Sequence, residues 1–391
     1  MRVLFVTLLS LNRSSSVTIS NRALVDGFLK NNCDLTIIQP AIRMGEDFSY
    51  TDSLIDKGVN IIFLGTNIKE NKESEAQNKD NQVKKKLIQT ICKISDDVNP
   101  LDNSIKYIRK GKNLLKDLEQ TYDLVISTSD PKSTHLFVDT LIQNGLKYKK
   151  WVQHWGDPLM NDISKKTIYS KKMMHSLEKR ILKNADHIVY VSPLTMNQQK
   201  KDFKDFSNKM MFLPLISGDD KDDSIPYYDN LTIGYFGDYV TKYRNIIPLY
   251  DCVKQHSNLK LFIIGNSDIS LESTENIQVL GRVSIDKLNE FQEDTLIHVC
   301  VCNTHGTQIP GKIFYHANLN RPVLVVVDGD NADDIKSLLS KFNRYEICRN
   351  DSSDIYNAIQ KIITERKTDF AIPETLKSSY VVKQLIDAIG N

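Results

Sequence analysis

The stretch TQIPGKIFYHANLNRPVLVVVDGD, residues 307–330, places a polar loop, a short helical pattern and an apolar run in direct succession. The run PVLVVV has no polar face, which is typical of a strand buried on both sides in a parallel sheet. Pro310 suits a first helical position, because its missing N–H would be unpaired there in any case. The stretch therefore predicts a helix over 310–318 between two parallel strands.

The same alternation of apolar runs and amphipathic stretches extends over the whole chain and predicts βα units. In the first half the predicted strands are 2–7, 34–39, 59–64, 122–128, 149–154, 187–191 and 209–213, with helices such as 131–145 and 172–183 between them. In the second half the predicted strands are 231–236, 259–264, 276–280, 296–302 and 323–327. The predicted fold class is α/β, with two doubly wound Rossmann-like domains facing a cleft.

The chain has 391 residues, which is too long for a single core to be expected. The segment SGDDKDDSIPYYDN, residues 217–230, has no apolar periodicity and carries five Asp, so it reads as a solvated linker. The predicted parts are an N-terminal domain 1–216, this linker, a C-terminal domain 231–365, and a final helix 366–391 that packs back on the first domain.

Composition excludes several classes of function. The 51 basic and 49 acidic residues leave a formal net charge of +2, too balanced for a protein that binds nucleic acid over its whole surface. The six cysteines form no CxxC pair and no zinc spacing, which favours reduced thiols, a cytoplasmic chain and no metal site. The N-terminal run MRVLFVTLLSL lacks a small-residue cleavage site and is expected to be a buried first strand.

A lysine-rich stretch, residues 84–116, interrupts the βα pattern. Leu87, Ile88, Ile91 and Ile94 fall at spacings that make one face of a helix apolar. One interpretation is a helix packed on its own domain with a charged, solvated outer face. The other is a patch that docks on an anionic membrane surface, where each basic residue contributes about 1 kcal/mol.

The helix start after the predicted strand 296–302 is expected to hold a phosphate. Open α/β sheets bind ligands at the carboxyl ends of their strands. The amides of Gly311, Lys312 and Ile313 would be unpaired at a helix start and would attract an anion, and the Lys312 side chain adds a full charge. The alternative is an ordinary helix start in a βαβ unit.

A second segment, IGYFGDYVTKYRN at 233–245, leads from the first strand of the second domain into a loop at the same sheet edge. Gly237 allows the backbone to approach a ligand closely. Lys242 and Arg244 follow just before a helix. With Lys312 they would surround a diphosphate and stabilise the charge that develops as it leaves. The alternative is that both are solvated surface cations.

In the first domain, two loops follow predicted strands. Ser14, Ser15 and Ser16 precede the first helix, where they are expected to cap it, with contact to an acceptor as the second interpretation. The segment KKWVQHWGDPLMND, residues 149–162, ends its strand with His154 and Asp157. An imidazole and a carboxylate at a sheet edge are candidates for a direct catalytic role, and both are also common as hydrogen-bonded turn residues.

These pieces together resemble a glycosyltransferase of the GT-B fold, in particular the large retaining group that includes GT family 4. The segments that carry the resemblance, in chain order, are WVQHWGDPLMND (151–162), SLEKRILKNADHIVYVSPLT (176–195), IGYFGDYVTKYRN (233–245), IQVLGRVSIDKL (277–288) and IPGKIFYHANLNRPVLVV (309–326). The resemblance implies that the first domain binds the acceptor and the second binds the nucleotide-sugar donor.

The resemblance also implies roles for particular residues. The implied donor-binding set is Gly237, Asp238, Arg244, Gly281, Arg282, Val283, Gln308, Ile309, Pro310, Gly311 and Tyr315. Of these, Gly281 to Val283 would lie near the nucleobase, and the amides of 308–311 would lie beneath the diphosphate. The candidate catalytic set is Lys242, Lys312, Asp157 and His154, of which the resemblance implies the two lysines, while Asp157 and His154 are candidates because of their place at the sheet edge.

Three positions depart from the family pattern. Tyr315 stands where relatives carry a Glu that grips the ribose hydroxyls, and Thr307 stands where an earlier Glu would be. Asp238 replaces an Arg that often follows the first glycine of the donor domain. A hydrogen bond to a charged group is worth about 1.5–3 kcal/mol, against roughly 0.5–1.5 for a neutral one, so a weaker grip on the donor is expected. Tyr315 and His316 are expected to share the helix face of Lys312.

The sequence thus predicts a hexosyltransferase-like enzyme that moves a sugar from a UDP- or GDP-linked donor to a glycan or lipid-linked acceptor in bacterial-type surface polysaccharide synthesis. Family analogy suggests retention of configuration. No cofactor or metal is expected, because the lysines can supply the countercharge. The expected location is cytoplasmic, peripheral at the inner face of the membrane. The alternatives are a nucleotide-sugar epimerase of the same fold and a non-catalytic subunit that binds a glycan or a protein partner.

Overall fold

The computed structural model describes residues 1–42, 46–65, 99–118, 120–163, 168–219, 228–229 and 231–390. The chain divides into two compact units. Unit 1 consists of Met1–Pro214 together with Val382–Asn391, and unit 2 consists of Leu215–Val381. Each unit has its own sheet.

Unit 1 is built on a seven-stranded sheet in which the described pairings are parallel. Its strands are β1 (Arg2–Val6), β2 (Asp34–Pro40), β3 (Asn60–Leu64), β4 (Tyr122–Thr128), β5 (Tyr148–Trp155), β6 (His187–Tyr190) and β7 (Met210–Phe212). Their order across the sheet is β3-β2-β1-β4-β5-β6-β7. The central strands β1 and β4 are buried almost throughout, which is why they read as apolar runs.

The helices of unit 1 connect these strands. They are α1 (Ser16–Lys30), α2 (Ser49–Asp56), α3 (Gly111–Leu114), α4 (Ser133–Gln143), α5 (Lys171–Leu182) and α6 (Pro193–Asp202), with 3-10 turns at Asn103–Lys110, Leu115–Asp117 and Lys204–Lys209. Several starts carry a serine cap: the Ser170 and Ser192 hydroxyls accept N–H bonds from Met173 and Thr195. Trp151 and Trp155 are fully buried in the core.

Unit 2 is built on a six-stranded sheet with the order β10-β9-β8-β11-β12-β13. Its strands are β8 (Thr232–Phe236), β9 (Lys260–Ile264), β10 (Ile277–Leu280), β11 (Ile297–Val301), β12 (Val323–Val327) and β13 (Glu346–Arg349). Its helices are α7 (Ile247–Lys254), α8 (Ile285–Glu293), α9 (Lys312–Tyr315), α10 (Ala332–Ser340) and α11 (Ser352–Glu365), with 3-10 turns at His316–Asn318 and Glu374–Leu376. The last helix, α12 (Ser378–Gly390), carries residues of both units, the change falling at Val382.

Each sheet has one point where the chain order reverses. In unit 1 this point lies between β1 and β4, and in unit 2 it lies between β8 and β11. At such a switch point the loops that leave the two neighbouring strands diverge to opposite faces and open a crevice at the carboxyl edge. The loops that follow these four strands are therefore where each unit is expected to hold a ligand.

The structure confirms the predicted α/β class and all of the predicted strands, with ends that differ by at most one residue. It adds β13, which the sequence analysis did not predict. The helix predicted over 310–318 is shorter: its α-helical part begins at Lys312 and ends at Tyr315, and a 3-10 turn follows. Pro310 lies ahead of the cap residue Gly311 and is not the first helical residue, so that prediction was wrong.

Two predictions fall largely outside the described residues. The apolar helix face over 87–94 lies outside them, and of the lysine-rich stretch 84–116 only 99–116 is described. The predicted linker 217–230 is described only at 217–219 and 228–229. Among the described helices, none combines the length and the apolar character that a membrane-spanning helix needs.

The cysteines of the described chain are free and buried: Cys33, Cys252, Cys300, Cys302 and Cys348. Burial raises the pKa of each thiol, to about 11 for Cys252 and about 12 for Cys300. Buried thiols with a raised pKa are unreactive, in keeping with a packing role. Cys92 lies outside the described residues.

Candidate functional site

The candidate donor site lies at the switch point of unit 2, where the loops after β8 and β11 are tied to each other. The amide of Thr304 donates to the carbonyl of Tyr243 at 2.9 Å. The Thr304 hydroxyl donates to the carbonyl of Lys242 at 3.0 Å. Residues 242–243 are thereby fixed beside residues 303–304 at the carboxyl edge of the sheet.

Lys312 reaches from α9 to the turn after β8. Gly237 has φ +148°, and a Cβ built on it would overlap the Lys312 Nζ atom. The neighbouring Gly265 has a similar restriction, since a Cβ there would overlap the carbonyl group of Gly237. Because Gly237 has no side chain, the space beside its Cα is free of protein backbone and side chain from that residue, and the Lys312 ammonium lies in this space.

The charge on this ammonium is poorly compensated. Lys312 is exposed as a residue, but the protein atoms packed around its ammonium lower its pKa, and Arg244 contributes to the same shift. The thiol of Cys300 and the carboxylate of Asp238 act in the opposite direction. A bound anion would favour the charged form and reverse the shift.

The helix start contributes fewer amides than the sequence suggested. The amide of Ile313 donates to the carbonyl of Pro310 at 3.1 Å, so it is not free, and that prediction was wrong. The amides of Gly311 and Lys312 precede this bond and make no backbone hydrogen bond within the described part of the chain. Because α9 has only four residues, its dipole is small, and the Lys312 charge is the main attraction for an anion.

Arg244 and Lys242 were predicted beside Lys312, and the guanidinium of Arg244 is hydrogen-bonded within the protein. Arg244 donates from Nη2 to the Asn303 side-chain oxygen at 2.9 Å, and from Nη1 to the Asp238 carbonyl at 3.4 Å. Its guanidinium thus holds the loops after β8 and β11 together. Lys242 is exposed, and its backbone is fixed by Thr304.

Another cation, Arg282, reaches the same edge from the loop after β10. Arg282 forms an ion pair with Asp238 that includes an Nε–Oδ1 bond of 3.1 Å, and Asp238 also accepts the amide of Asn266 at 2.9 Å. The bond from Arg282 is the main reason that the pKa of Asp238 is lowered. Arg282 therefore supplies a guanidinium at this edge, and Asp238 orients it.

The remaining predicted donor residues lie at this edge with different exposure. Gly281 is exposed and Val283 is half-buried, just before Ser284, whose hydroxyl caps α8. Gln308 and Ile309 are buried beneath the loop, with the Gln308 carbonyl accepting from the Asn303 amide group at 3.0 Å.

Tyr315 folds back along its own helix. Its ring and hydroxyl lie 3.3 Å from the position that a Cβ on Gly311 would take. His316 faces the sheet, where its Nδ1 lies 3.5 Å from the Cys300 Sγ and its ring packs against that of His298. Lys312 also interacts with the Cys300 thiol, in keeping with the prediction that His316 and Lys312 share a helix face.

In unit 1, the loop after β1 caps its helix. The Ser15 hydroxyl accepts the amide of Thr18 at 3.2 Å, as the capping interpretation predicted. Ser14 and Ser16 are exposed on either side of it.

The loop after β4, on the other side of the switch point in unit 1, carries a buried lysine that the sequence analysis did not single out. The Lys132 ammonium lies 2.8 Å from Asp130 and 3.0 Å from Asp162. Carboxylate oxygens of Asp130, Asp157 and Asp162 all lie within 4.8 Å of one another. Burial acts to lower the pKa of Lys132, but these carboxylates raise it well above its usual value, so the lysine is charged. It is the cation of this acidic cluster.

Asp157 and His154 differ in protonation from ordinary surface groups. Burial, with the nearby charge of Asp162, raises the pKa of Asp157 to about 7. Burial lowers the pKa of His154 to about 4, and its Nδ1 has no hydrogen-bond partner within the described residues. An Asp with a pKa near neutrality is suited to acid–base chemistry, whereas His154 is neutral at that pH.

The loop that carries Asp157 is held by a buried glutamate on α5. Glu178 accepts the amides of Leu159 at 3.1 Å and Met160 at 2.8 Å. Burial raises the pKa of Glu178 to about 7. The sequence contains only a weak signal for the Lys132 cluster: Ser129 and Asp130, directly after β4, mark a strand end, but nothing in the sequence places them beside the loop after β5.

No protein-family model and no curated protein matches the chain. Solved structures do match it. A sucrose-phosphate synthase from Thermosynechococcus elongatus has a TM-score of 0.57 at 11% identity, over 100% of this chain and 98% of that chain. An alpha-glucosyltransferase in complex with UDP and a 13-mer DNA has a TM-score of 0.57 at 12% identity, over 100% of both chains.

A UDP-N-acetylglucosamine 2-epimerase also matches, with a TM-score of 0.51 at 12% identity over 100% of this chain and 97% of that chain. At such low identity the similarity concerns the fold, and function has to be argued from the site. The chain has the fold that these proteins share: the GT-B fold, with two Rossmann-like domains.

Proposed function

We propose that the protein is a glycosyltransferase that takes its sugar from a nucleotide-sugar donor. The observation that carries the proposal is the convergence of Lys312 on the open backbone of Gly237 at the switch point of unit 2. A partly dehydrated ammonium beside bare backbone suits the diphosphate of a nucleotide sugar, which carries its charge next to the bond that breaks. Sugar-transferring neighbours of the same fold support this reading.

In this proposal Lys312, with Lys242 and Arg282, stabilises the departing nucleoside diphosphate. No metal is then needed, since the side chains supply the countercharge. Unit 1 binds the acceptor, and Asp157, with its pKa of about 7, is the candidate group for the acceptor hydroxyl. An acceptor of the glycan or lipid-linked class, retention of configuration and a role in surface polysaccharide synthesis belong to the same proposal and rest on the family resemblance. Attachment to the membrane surface also belongs to it and rests on the lysine-rich stretch 84–116.

The first test is binding. Thermal shifts should be measured with UDP, GDP and ADP, since a ligand at 100 times its Kd stabilises the folded state by about 2.7 kcal/mol. At least one nucleotide should raise the melting temperature of the wild type. Lys312→Ala should reduce that shift, and Lys341→Ala, at an exposed lysine beyond α10, should keep it. No shift with any of the three would contradict the proposal.

The second test is turnover. A panel of sugar nucleotides incubated with the protein should release nucleoside diphosphate when an acceptor is present. Lys312→Ala should lower that turnover by about 10²–10³-fold if Lys312 stabilises the leaving group. The epimerase neighbour makes free conversion of a UDP-sugar the second candidate activity. A changed nucleotide sugar formed without any acceptor would favour it.

A further inference from the structure

A buried arginine holds the far end of the short helix that carries Lys312. Arg344 donates from Nε to the carbonyl of Ala317 at 2.9 Å. Its Nη2 donates to the carbonyls of Leu319 at 2.6 Å, Arg321 at 3.1 Å and His316 at 3.3 Å. One guanidinium therefore binds four carbonyls of residues 316–321, two at the end of the 312–318 segment and two just beyond it.

This arginine has no acidic partner. Only 6% of Arg344 is exposed, it forms no ion pair within the described residues, and its guanidinium lies 5.0 Å from the ring centroid of Phe370. Burial lowers its pKa to about 10. A buried cation without a carboxylate is costly unless its donors are satisfied. Its Nε and Nη2 donate to carbonyls of residues 316–321, whereas its Nη1 has no hydrogen-bond partner among the described residues. The hydrogen bonds of this buried charge are thus directed to the end of the 312–318 segment.

The turn needs such a support, because it has few hydrogen bonds of its own. One α-helical turn followed by a 3-10 turn is too short to be stable by itself. The adjacent Tyr345 adds to the support, since its hydroxyl donates to the carbonyl of Ile313 at 3.0 Å. Lys312 projects from the opposite end of the same turn, so a shift of the turn moves the ammonium relative to Gly237.

We infer that Arg344 is a positioning residue of the donor site: by fixing the carbonyl end of the 312–318 segment, it holds the Lys312 ammonium against the Gly237 turn, where the diphosphate binds. The inference rests on the proposed function. It predicts that Arg344 affects nucleotide affinity only through Lys312.

A double-mutant cycle tests this inference. Titration calorimetry with UDP, GDP and ADP should be carried out on the wild type, Arg344→Lys, Lys312→Met and the double variant. Arg344→Lys keeps the charge but loses the planar fork that reaches four carbonyls. Arg321→Lys is the matched control, because the Arg321 guanidinium also binds carbonyls, those of Glu293 and Thr295, outside the 312–318 segment.

Arg344→Lys should weaken nucleotide binding by about five- to tenfold when Lys312 is present, a coupling within the range found for interacting residues. In the Lys312→Met background the same change should have less than about a twofold effect. Arg321→Lys should bind as the wild type does. A loss of affinity in Arg344→Lys that is equal in both backgrounds, or no loss in either, would overturn the inference.

Two further results have to be distinguished: an Arg344 variant that does not fold, and a wild type that binds no nucleotide. If Arg344→Lys does not fold, Tyr345→Phe takes its place in the cycle, since it removes the other support of the same turn. A smaller effect of the same pattern supports the inference, and an effect independent of Lys312 overturns it. If the wild type binds none of the three nucleotides, the proposed function fails, and the inference fails with it.

Discussion

Lys312 and Gly237 depend on each other at the level of single atoms. The ammonium lies where any side chain at position 237 would begin, and the backbone at 237 has a φ of +148° that residues other than glycine rarely adopt. Two separate constraints, conformation and space, thus act at one position. A substitution there changes both the stability of the turn and the location of the charge.

Gly237→Ala should therefore lose stability and nucleotide binding together. The strained backbone costs about 1–3 kcal/mol, and the new methyl group displaces the ammonium. Gly145→Ala is the control, since Gly145 has φ +107° but nothing within 4 Å of the added Cβ. Urea unfolding should show a loss in both variants, and calorimetry with UDP, GDP and ADP a loss only in Gly237→Ala. Equal nucleotide binding by the two variants would mean that Lys312 does not need this opening.

Asp157 should make the stability depend on pH. Its pKa in the folded chain is about 7, above the unfolded value of about 3.9, so folding favours the protonated form. The stabilisation is fully present below about pH 4 and is lost as the pH rises through 7, with a slope of up to about 1.4 kcal/mol per pH unit. Asp157→Asn should reduce that slope in urea titrations between pH 4.5 and 8. Asp205→Asn, at an exposed ion pair, should leave it unchanged.

At the scale of elements, the loop after β5 is held by α5 rather than by its own turn. Glu178 accepts two loop amides from a position with no exposed surface. Lys132, at the start of α4, binds Asp162 at the end of the same loop. The loop that carries Asp157 is thus fixed from two neighbouring helices.

Glu178→Ala should destabilise unit 1 by roughly 1–3 kcal/mol, because it removes the acceptor of the buried amide of Leu159 and of the half-buried amide of Met160. Glu178→Gln keeps one side-chain carbonyl and should lose less. Chemical denaturation of both variants, followed by the fluorescence of Trp151 and Trp155, measures the difference. If the Gln variant is as unstable as the Ala variant, a single acceptor oxygen is not enough, and the complete carboxylate is required.

Element prediction from sequence succeeded where burial was uniform. β11 and β12 read as apolar runs because they lie inside a parallel sheet. β13 was missed because it is a four-residue strand bounded by Glu346 and Arg349, and within the described part of the chain it lies at the sheet edge and pairs with β12 alone. The helix at 312 was predicted too long, because its residues have helical spacing but Arg344 and Tyr345, distant in sequence, end its regular part.

At the scale of the whole molecule, the sites depend on strand order, which the sequence does not contain. Lys242, Lys312 and Gly237 were predicted as neighbours because loops that follow parallel strands of one domain open at the same carboxyl edge. Lys132 and Asp162 are 30 residues apart and become neighbours only because β4 pairs with β5. Their role was invisible until the sheet topology was known.

The overall charge predicts how the molecule behaves toward nucleic acid. A neighbour of the same fold is described with DNA, whereas this chain has 51 basic and 49 acidic residues. Non-specific binding of DNA is driven by basic residues and reaches a Kd of only about 10⁻⁴–10⁻⁶ M at physiological salt. Because this chain has almost no net positive charge, we expect it to bind a 13-mer duplex no more tightly than that. Fluorescence anisotropy of labelled DNA provides the measurement. A Kd below that range would reveal a local basic surface.

The buried cysteines can be used to measure local opening of each unit. Opening of unit 1 should increase alkylation of Cys33, which is 8% exposed when folded, and opening of unit 2 should increase that of Cys252 and Cys300. Peptide-resolved mass spectrometry would separate these signals from that of Cys92. A nucleotide bound to unit 2 should slow alkylation of Cys252 and Cys300, while the alkylation rate of Cys33 in unit 1 stays the same. The pattern of modification would then show which unit binds the nucleotide.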